Sequence, residues 1–323
     1  CIKNRIIMKN FINSDDIINY QYLLNEINKH KNDKSDLSFI GKNKVIGLLF
    51  FNPSLRTRLS TQKAAMNLGF KSIVMNFRDD GWQLEFDENI IMSGNKAEHV
   101  KDAAKVISQY CDILGIRAFA ELKHKEIDNS DKIINSFVKY ATIPILNLES
   151  SIAHPLQALA DAATINENIN TNNPKIVLSW APHPKPLPHA VANSFINMCK
   201  INNYDLTITN PKGYDLSKKI TEGIQIINDQ ELAFKNADFI YAKNWSSYDQ
   251  YGKVLLNDDS WIINENKMKL TNNAFFMHCL PIRRNVVVTD SVLDSNRSLV
   301  IQQANNRTYA TQTILKELIS NEK

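Results

Sequence analysis

A chain of 323 residues with 43% hydrophobic content is long enough for about two ordinary domains with real cores. The net charge of +4 is modest and dispersed, and no basic stripe interleaves with aromatics, which fits anionic small substrates and argues against nucleic acid as a partner. No apolar run approaches ~18 residues, no signal peptide is visible, and Cys1, Cys111, Cys199 and Cys279 form no C-x-x-C pair. The expectation is a cytoplasmic protein with no membrane span, zinc site or disulfide framework. Met8-Lys9-Asn10-Phe11 reads as the natural start and residues 1–7 as an upstream extension. Neither G-x-G nor a P-loop string occurs, so the dinucleotide and P-loop folds have no support.

In chain order, Ser14 to Lys31 reads as a first helix, with Ile17, Ile18, Tyr22, Leu23 and Ile27 on one side. After a polar loop and a turn at Gly41-Lys42, Val45 to Phe51 is a short apolar run of the right length for a buried parallel strand. Asn52 and Pro53 break it, and Ser54 is a good cap for a helix with Leu59, Ala64, Ala65 and Leu68 inward, stopped by Gly69. Ser72 to Asn76 follows as a strand, then a loop from Arg78 to Trp82. A helix from His99 to Gln109 precedes a strand from Ile113 that ends at Arg117. A helix from Asp131 to Tyr140 and a strand from Pro144 to Leu148 complete the first half. Pro155 opens a long connecting helix. The second half repeats the alternation, with strands at Ile176–Trp180, Leu206–Thr209, Phe239–Ala242 and Phe275–His278 and helices at Pro188–Lys200 and Glu231–Asn236. A last helix runs from Arg307 to Leu318. Strands alternating with helices predict an α/β fold of two domains, each a parallel β-sheet flanked by helices, with the C-terminal helix packing back on the first domain. The expected domains are 1–152, completed by 306–323, and 153–305. Ligands in such sheets bind at the carboxyl ends of strands, where Ser54, Arg117 and Glu149 all sit.

The join at Ser54-Leu55-Arg56-Thr57-Arg58 brings free backbone N–H groups, two hydroxyls and two guanidinium groups to one helix N-terminus. That combination suits a phosphate dianion. Taken singly, S-x-R-x-R is most often a solvated helix start, and His154-Pro155-Leu156-Gln157 an ordinary one with proline at a favoured position. His278-Cys279-Leu280-Pro281 alone reads equally well as a buried cysteine at a strand end. Their order along one α/β chain is what gives them weight.

Together these stretches resemble the carbamoyltransferases. Ser54 to Arg58 resembles the family's carbamoyl-phosphate loop Ser-x-Arg-Thr-Arg, and HPLQ its His-Pro-x-Gln. HCLP resembles the ornithine-type members, and Phe50 to Arg58 the branch acting on N-acylated ornithine. Trp180 to Pro184, Tyr241 to Trp245 and Asn305-Asn306-Arg307 extend the likeness over nearly the whole chain from Met8. The resemblance implies direct transfer without metal or organic cofactor. Carbamoyl phosphate would be held by Ser54, Leu55, Arg56, Thr57, Gln157, Cys279, Leu280 and Arg307, with Trp82 reaching in from a neighbouring subunit of a homotrimer. Arg117, His154 and Cys279 would be catalytic: Arg117 and His154 stabilise the oxyanion, and Cys279 lies beside the reacting carbamoyl group. Arg58 would be structural.

Substrate identity lies in the departures from ordinary ornithine carbamoyltransferases. Those hold the α-ammonium of free ornithine with an Asp, where this chain has Lys243, and their Ser-Met-Gly is missing from Ser246-Ser247-Tyr248. Acylation of the α-nitrogen would cancel the charge that Lys243 repels. The resemblance assigns Glu149, His183, Lys243, Cys279, Leu280 and Arg284 to the acceptor, with Arg284 preferred over Arg283 for an acyl carboxylate. The N-acetyl branch carries Lys where Val287 stands and Glu near Ala97, and that Glu would repel a succinyl group. The succinyl branch usually has Pro at that loop position. The implied reaction is carbamoyl transfer to N-succinyl-L-ornithine, giving N-succinyl-L-citrulline and phosphate, in arginine biosynthesis. N-acetyl-L-ornithine and plain ornithine are the alternative acceptors. A catalytically silent paralogue used for binding or assembly is the alternative class. The completeness of the loop, Arg117, His154, Gln157 and Cys279 weighs against it.

Overall fold

A computed structural model describes residues 8–320 apart from 34, 78, 170, 172 and 257. Cys1, the expected extension 1–7 and Arg78 of the expected loop lie outside the described residues. The chain divides into two compact units. One comprises Cys1–Glu121, Glu126–Leu159 and Arg307–Lys323, the other Leu122–Lys125 and Ala160–Asn306.

In the first unit the apolar run Val45–Phe50 forms β1, the strand on which the sheet is centred. It pairs in parallel with β2 (Lys71–Asn76) and β3 (Ile113–Arg117), and β4 (Ile145–Glu149) lies beyond β3, giving the order β2-β1-β3-β4. Ile46, Leu48, Leu49 and Phe50 are all buried, as a strand covered on both faces requires. Parallel pairing puts every carboxyl end on one edge. The register sets Phe50 beside Arg117 and Arg117 beside Glu149. The following helix, Arg56–Asn67, stops at Gly69, whose φ of +82° only glycine adopts freely. A Cβ there would also lie 1.9 Å from the Ser38 carbonyl oxygen.

The second unit holds β5 (Lys175–Trp180), β6 (Asp205–Thr209), β7 (Gln225–Ile227), β8 (Phe239–Lys243) and β9 (Phe275–Met277) in an all-parallel sheet of order β9-β8-β5-β6-β7. Val177, Phe234, Ile240, Phe276 and Val288 belong to its core. The fold is α/β, parallel sheets flanked by helices. The C-terminal helix, Val300–Ile319, packs its second half on the first unit. There Gln312 accepts from Asn67 (2.9 Å), His30 pairs with Thr313 (2.9 Å), and Lys316 meets Glu26 (2.5 Å). Among the described residues no helix is long and apolar enough to cross a membrane.

Several elements differ from their sequence reading. The first helix is split into a 3-10 turn, Ser14–Asp16, and a helix, Tyr20–Asn32. The Asp16 carboxylate closes the turn by accepting from the N–H groups of Ile12 (2.6 Å) and Asn13 (2.9 Å), and Asn19 caps the helix through Tyr22 N–H. Ile18, expected on the apolar side, is left 76% exposed between them. Leu59 is exposed as well. The buried side of its helix carries Thr57, Ser60 and Thr61 beside the alanines. The last helix starts at Val300, not Arg307. Its polar opening reads as loop, yet Asn306 donates to Thr164 (3.0 Å) and Glu167 (3.0 Å), so packing on another helix overrides weak local propensity. The strand Gln225–Ile227 carries no apolar alternation that would mark it in advance.

Candidate active site

β1 ends at Phe50, and the turn after it is pinned where the Asn52 side chain accepts from Phe119 N–H (2.7 Å). Ser54 Oγ then accepts from Thr57 N–H (3.2 Å), leaving the helix to begin at Arg56. The first N–H groups of such a helix have no intrahelical acceptor and face outward along its axis. Thr57 is buried, and its hydroxyl is a meeting point. It accepts from Arg117 Nη1 (3.2 Å), at the end of β3, and from Arg307 Nη2 (3.0 Å), on the C-terminal helix.

The same guanidinium groups hold the rest of the cluster. Arg117 Nη1 donates to Glu149 Oε2 (2.5 Å) at the end of β4, and its guanidinium stacks over Phe119. His154 Nε2 lies 3.3 Å from the same Glu149 oxygen. Arg307 Nη1 donates to Gln157 Oε1 (3.1 Å), which fixes the Gln157 amide from the other side. Proline starts the helix at Pro155, so His154 and Gln157 stand one turn apart. The Glu149 strand end is anchored next door, where Ser150 donates to the buried Asp131 carboxyl (2.5 Å). Burial pushes that carboxyl above its usual range. Thus Ser54, Thr57, Arg117, Glu149, His154, Gln157 and Arg307 are brought together in the first unit, with Leu55 and Arg56 on the first turn beside them. Two guanidinium groups facing one helix start can clamp a dianion bidentately. Trp82 is not in this cluster. It is 60% exposed, and its indole N–H donates to Glu98 (2.9 Å).

The second unit assembles the other predicted residues at the carboxyl ends of β8 and β9. Cys279 follows β9, half-buried, and Leu280 follows it at a φ of 53°. His278 steadies the turn by accepting from Leu280 N–H (2.9 Å). Lys243 ends β8, buried, its ammonium on the Asn244 carbonyl (3.0 Å). His183 accepts at Nε2 from Arg283 Nε (3.2 Å), and its Nδ1 lies 2.8 Å from the Lys185 carbonyl oxygen and 3.1 Å from the Lys185 main-chain nitrogen. Burial pulls the His183 pKa below its ordinary value, and Arg283 and Lys243 pull the same way. A neutral imidazole therefore sits among fixed cations, which suits a carboxylate.

Arg284, the other predicted acceptor residue, is held by two carboxylates. Its guanidinium pairs with Asp294 (2.7 and 2.8 Å) and Asp290 (2.7 Å), which raises its pKa further. It closes the turn after HCLP. Arg283 is the cation turned toward His183. Gln303 is a neighbour that no motif marked. It accepts from His278 N–H (3.1 Å), and only the i, i+4 spacing to Arg307 on one helix could have drawn attention to it.

The profile of the aspartate/ornithine carbamoyltransferase carbamoyl-P binding domain matches residues 9–167, and that of the Asp/Orn binding domain matches residues 188–318. N-succinylornithine carbamoyltransferase of Bacteroides fragilis is 45% identical over 316 residues, covering 97% of this chain and 99% of the relative. N-acetylornithine carbamoyltransferase of Xylella fastidiosa is 35% identical over 336 residues, covering 97% and 99%. Among solved structures, acetylornithine transcarbamylase complexed with acetylcitrulline superposes with a TM-score of 0.91 at 35% identity, covering 96% of this chain and 99% of that one. A variant of N-acetyl-L-ornithine transcarbamylase complexed with carbamyl phosphate and N-succinyl-L-norvaline gives the same TM-score, 0.91, identity and coverage.

Proposed function

The chain belongs to the aspartate/ornithine carbamoyltransferase family and is a carbamoyltransferase, and from that premise we propose that its acceptor is an N-acylated ornithine, specifically N-succinyl-L-ornithine, in arginine biosynthesis. The observation that carries the choice is the cationic set around neutral His183. Lys243 and Arg283 would repel the α-ammonium of free ornithine and attract the two carboxylates of the succinyl compound. Closer identity to the succinyl-type relative than to the acetyl-type one supports the same reading. The neighbours complexed with acetylcitrulline and with N-succinyl-L-norvaline both support an N-acylated acceptor.

On this reading Ser54, Leu55, Arg56 and Thr57, with Arg117 and Arg307, hold the phosphate of carbamoyl phosphate. His154 and Arg117 polarise the carbonyl oxygen, and the Gln157 amide oxygen accepts from the carbamoyl NH2. The acceptor's side-chain amine, deprotonated, attacks the carbonyl carbon. The C–O bond to phosphate breaks, and the departing phosphate takes the amine's surplus proton. An alkyl amine has an ordinary pKa of ~10.4, so its desolvation is part of the work. Cys279 and Leu280 line the carbamoyl group and the amine, while Glu149, His183, Lys243 and Arg283 hold the acylated amino acid. We further propose a cytoplasmic homotrimer, each site borrowing Trp82 from its neighbour.

The test is kcat/KM with carbamoyl phosphate against ornithine, N-acetylornithine and N-succinylornithine under one set of conditions. The succinyl compound should exceed the acetyl one by at least ~10-fold, the scale of one well-placed carboxylate contact. An acetyl preference would overturn the acyl assignment. Absence of transfer to every amine would indicate a silent paralogue.

A further inference from the structure

We propose that Gln303, oriented by Asp161, is the positioning residue that sets the main chain of the His278-Cys279 turn, and with it the Cys279 thiol. The inference rests on the carbamoyltransferase reading, in which Cys279 meets the reacting group. All the parts lie in the second unit. Gln303 and Asp161 are wholly buried, and His278 nearly so. Gln303 Nε2 donates to Asp161 Oδ1 (2.6 Å), and Gln303 Oε1 accepts from His278 N–H (3.1 Å).

The logic is one of polarity. A glutamine side chain has a donor end and an acceptor end, and alone it can sit either way round. A carboxylate only accepts, so Asp161 forces the NH2 of Gln303 toward itself and the carbonyl toward His278. β9 ends at Met277, so His278 carries the first main-chain N–H beyond the strand. Gln303 supplies the acceptor there. That bond holds the Met277–His278 peptide and places the His278 Cα, from which the chain runs directly on to Cys279. Tyr241, also fully buried, flanks the same group. Burial drives its hydroxyl well above the usual pKa, and the nearby Asp161 and Cys279 add to that. A low-dielectric setting of this kind makes correct pairing matter more than it would at the surface.

The experiment exchanges the polarity. Gln303→Glu sets two carboxylates against each other, and kcat for the acyl-ornithine should fall by about 30-fold or more. Asp161→Asn in the same chain supplies an amide donor to the new carboxylate, which still accepts from His278 N–H. The double variant should recover kcat to within about threefold of the parent. KM for carbamoyl phosphate should move less than kcat in the single variant, since the phosphate loop lies in the first unit. The second readout is the rate at which an aromatic disulfide reagent modifies Cys279. Cys111 and Cys199 are buried, and Cys1→Ser removes the remaining thiol. That rate should change in Gln303→Glu and return in the double variant. Wild-type kcat in a folded Gln303→Glu chain would overturn the inference, as would a folded double variant with no more turnover than the single one. If Gln303→Glu does not fold, the double variant decides alone: near-parental kcat supports the relay, and loss of kcat in a folded protein refutes it. Turnover by the unaltered protein is the control that separates failure of this inference from failure of the functional reading.

Discussion

Arg283 and Arg284 are adjacent, identical and equally charged, yet they face different partners. Arg284 is held by Asp294 and Asp290, a bidentate pair and a single bond that complete a surface turn. Arg283 donates to a neutral histidine, an interaction that leaves its charge uncompensated there. Arg283→Ala should therefore raise KM for N-succinylornithine by about 10-fold or more and affect N-acetylornithine less, as expected for loss of a charge-assisted contact. Arg284→Ala should leave kcat/KM within about threefold and lower the melting temperature by about 2–4 °C, the scale of an exposed ion-pair network. Steady-state kinetics with both acyl compounds and a thermal melt check the pair, and equal loss of both substrates in Arg283→Ala would sink the assignment. Sequence could not sort these arginines, because what separates them is which way the chain turns between 283 and 294. Gln303 was hidden for the same reason: its partners are 25 and 142 residues away.

The strands were readable as elements because buried parallel strands are contiguous apolar runs, and their carboxyl ends therefore announced Ser54, Arg117 and Glu149. The helices were less legible where polar residues face inward. Thr57, Ser60 and Thr61 are buried on one and Asn306 on another; Thr57 and Asn306 are matched by distant partners, and Ser60 donates back to the Thr57 carbonyl. The contact between the helix Tyr20–Asn32 and the C-terminal helix contains His30, whose Nδ1 pairs with Thr313. Burial lowers its pKa from 6.5 to about 4, and Lys316 pulls the same way. The folded state thus resists a proton that the unfolded chain accepts. Stability is fully present above 6.5 and is lost as pH falls from there toward about 4. The loss should amount to on the order of 2 kcal/mol. His30→Leu should flatten the pH dependence of the melting temperature across that window. An unchanged slope would assign the acid sensitivity elsewhere.

At the scale of the whole molecule, two family domains and two compact parallel-sheet units account for almost the entire chain. Trp82 is the residue proposed to serve a neighbouring copy. A large ring left 60% exposed in a polar loop calls for cover, and Ile90, Ile91 and Met92 further along the chain are exposed as well. Chains with Trp82→Ala mixed with chains carrying Arg117→Ala should regain activity after verified subunit exchange. On the proposed trimeric assembly, random mixing gives up to about one quarter of the parental value, since each intact site needs one good group from each of two neighbours. No recovery would remove the support for a shared site. Within one copy, the bond between Glu149 and Arg117 has its own consequence. The carboxylate is a tethered competitor, present at a high effective concentration that dilution never lowers. Any phosphate reaching Arg117 is measured against that resident anion, so its affinity is a difference between two exchanges and not the strength of one. On the proposed binding mode, a phosphate at the buried Arg117 meets a guanidinium already paired with an anion, so the charge is not bare before the phosphate arrives.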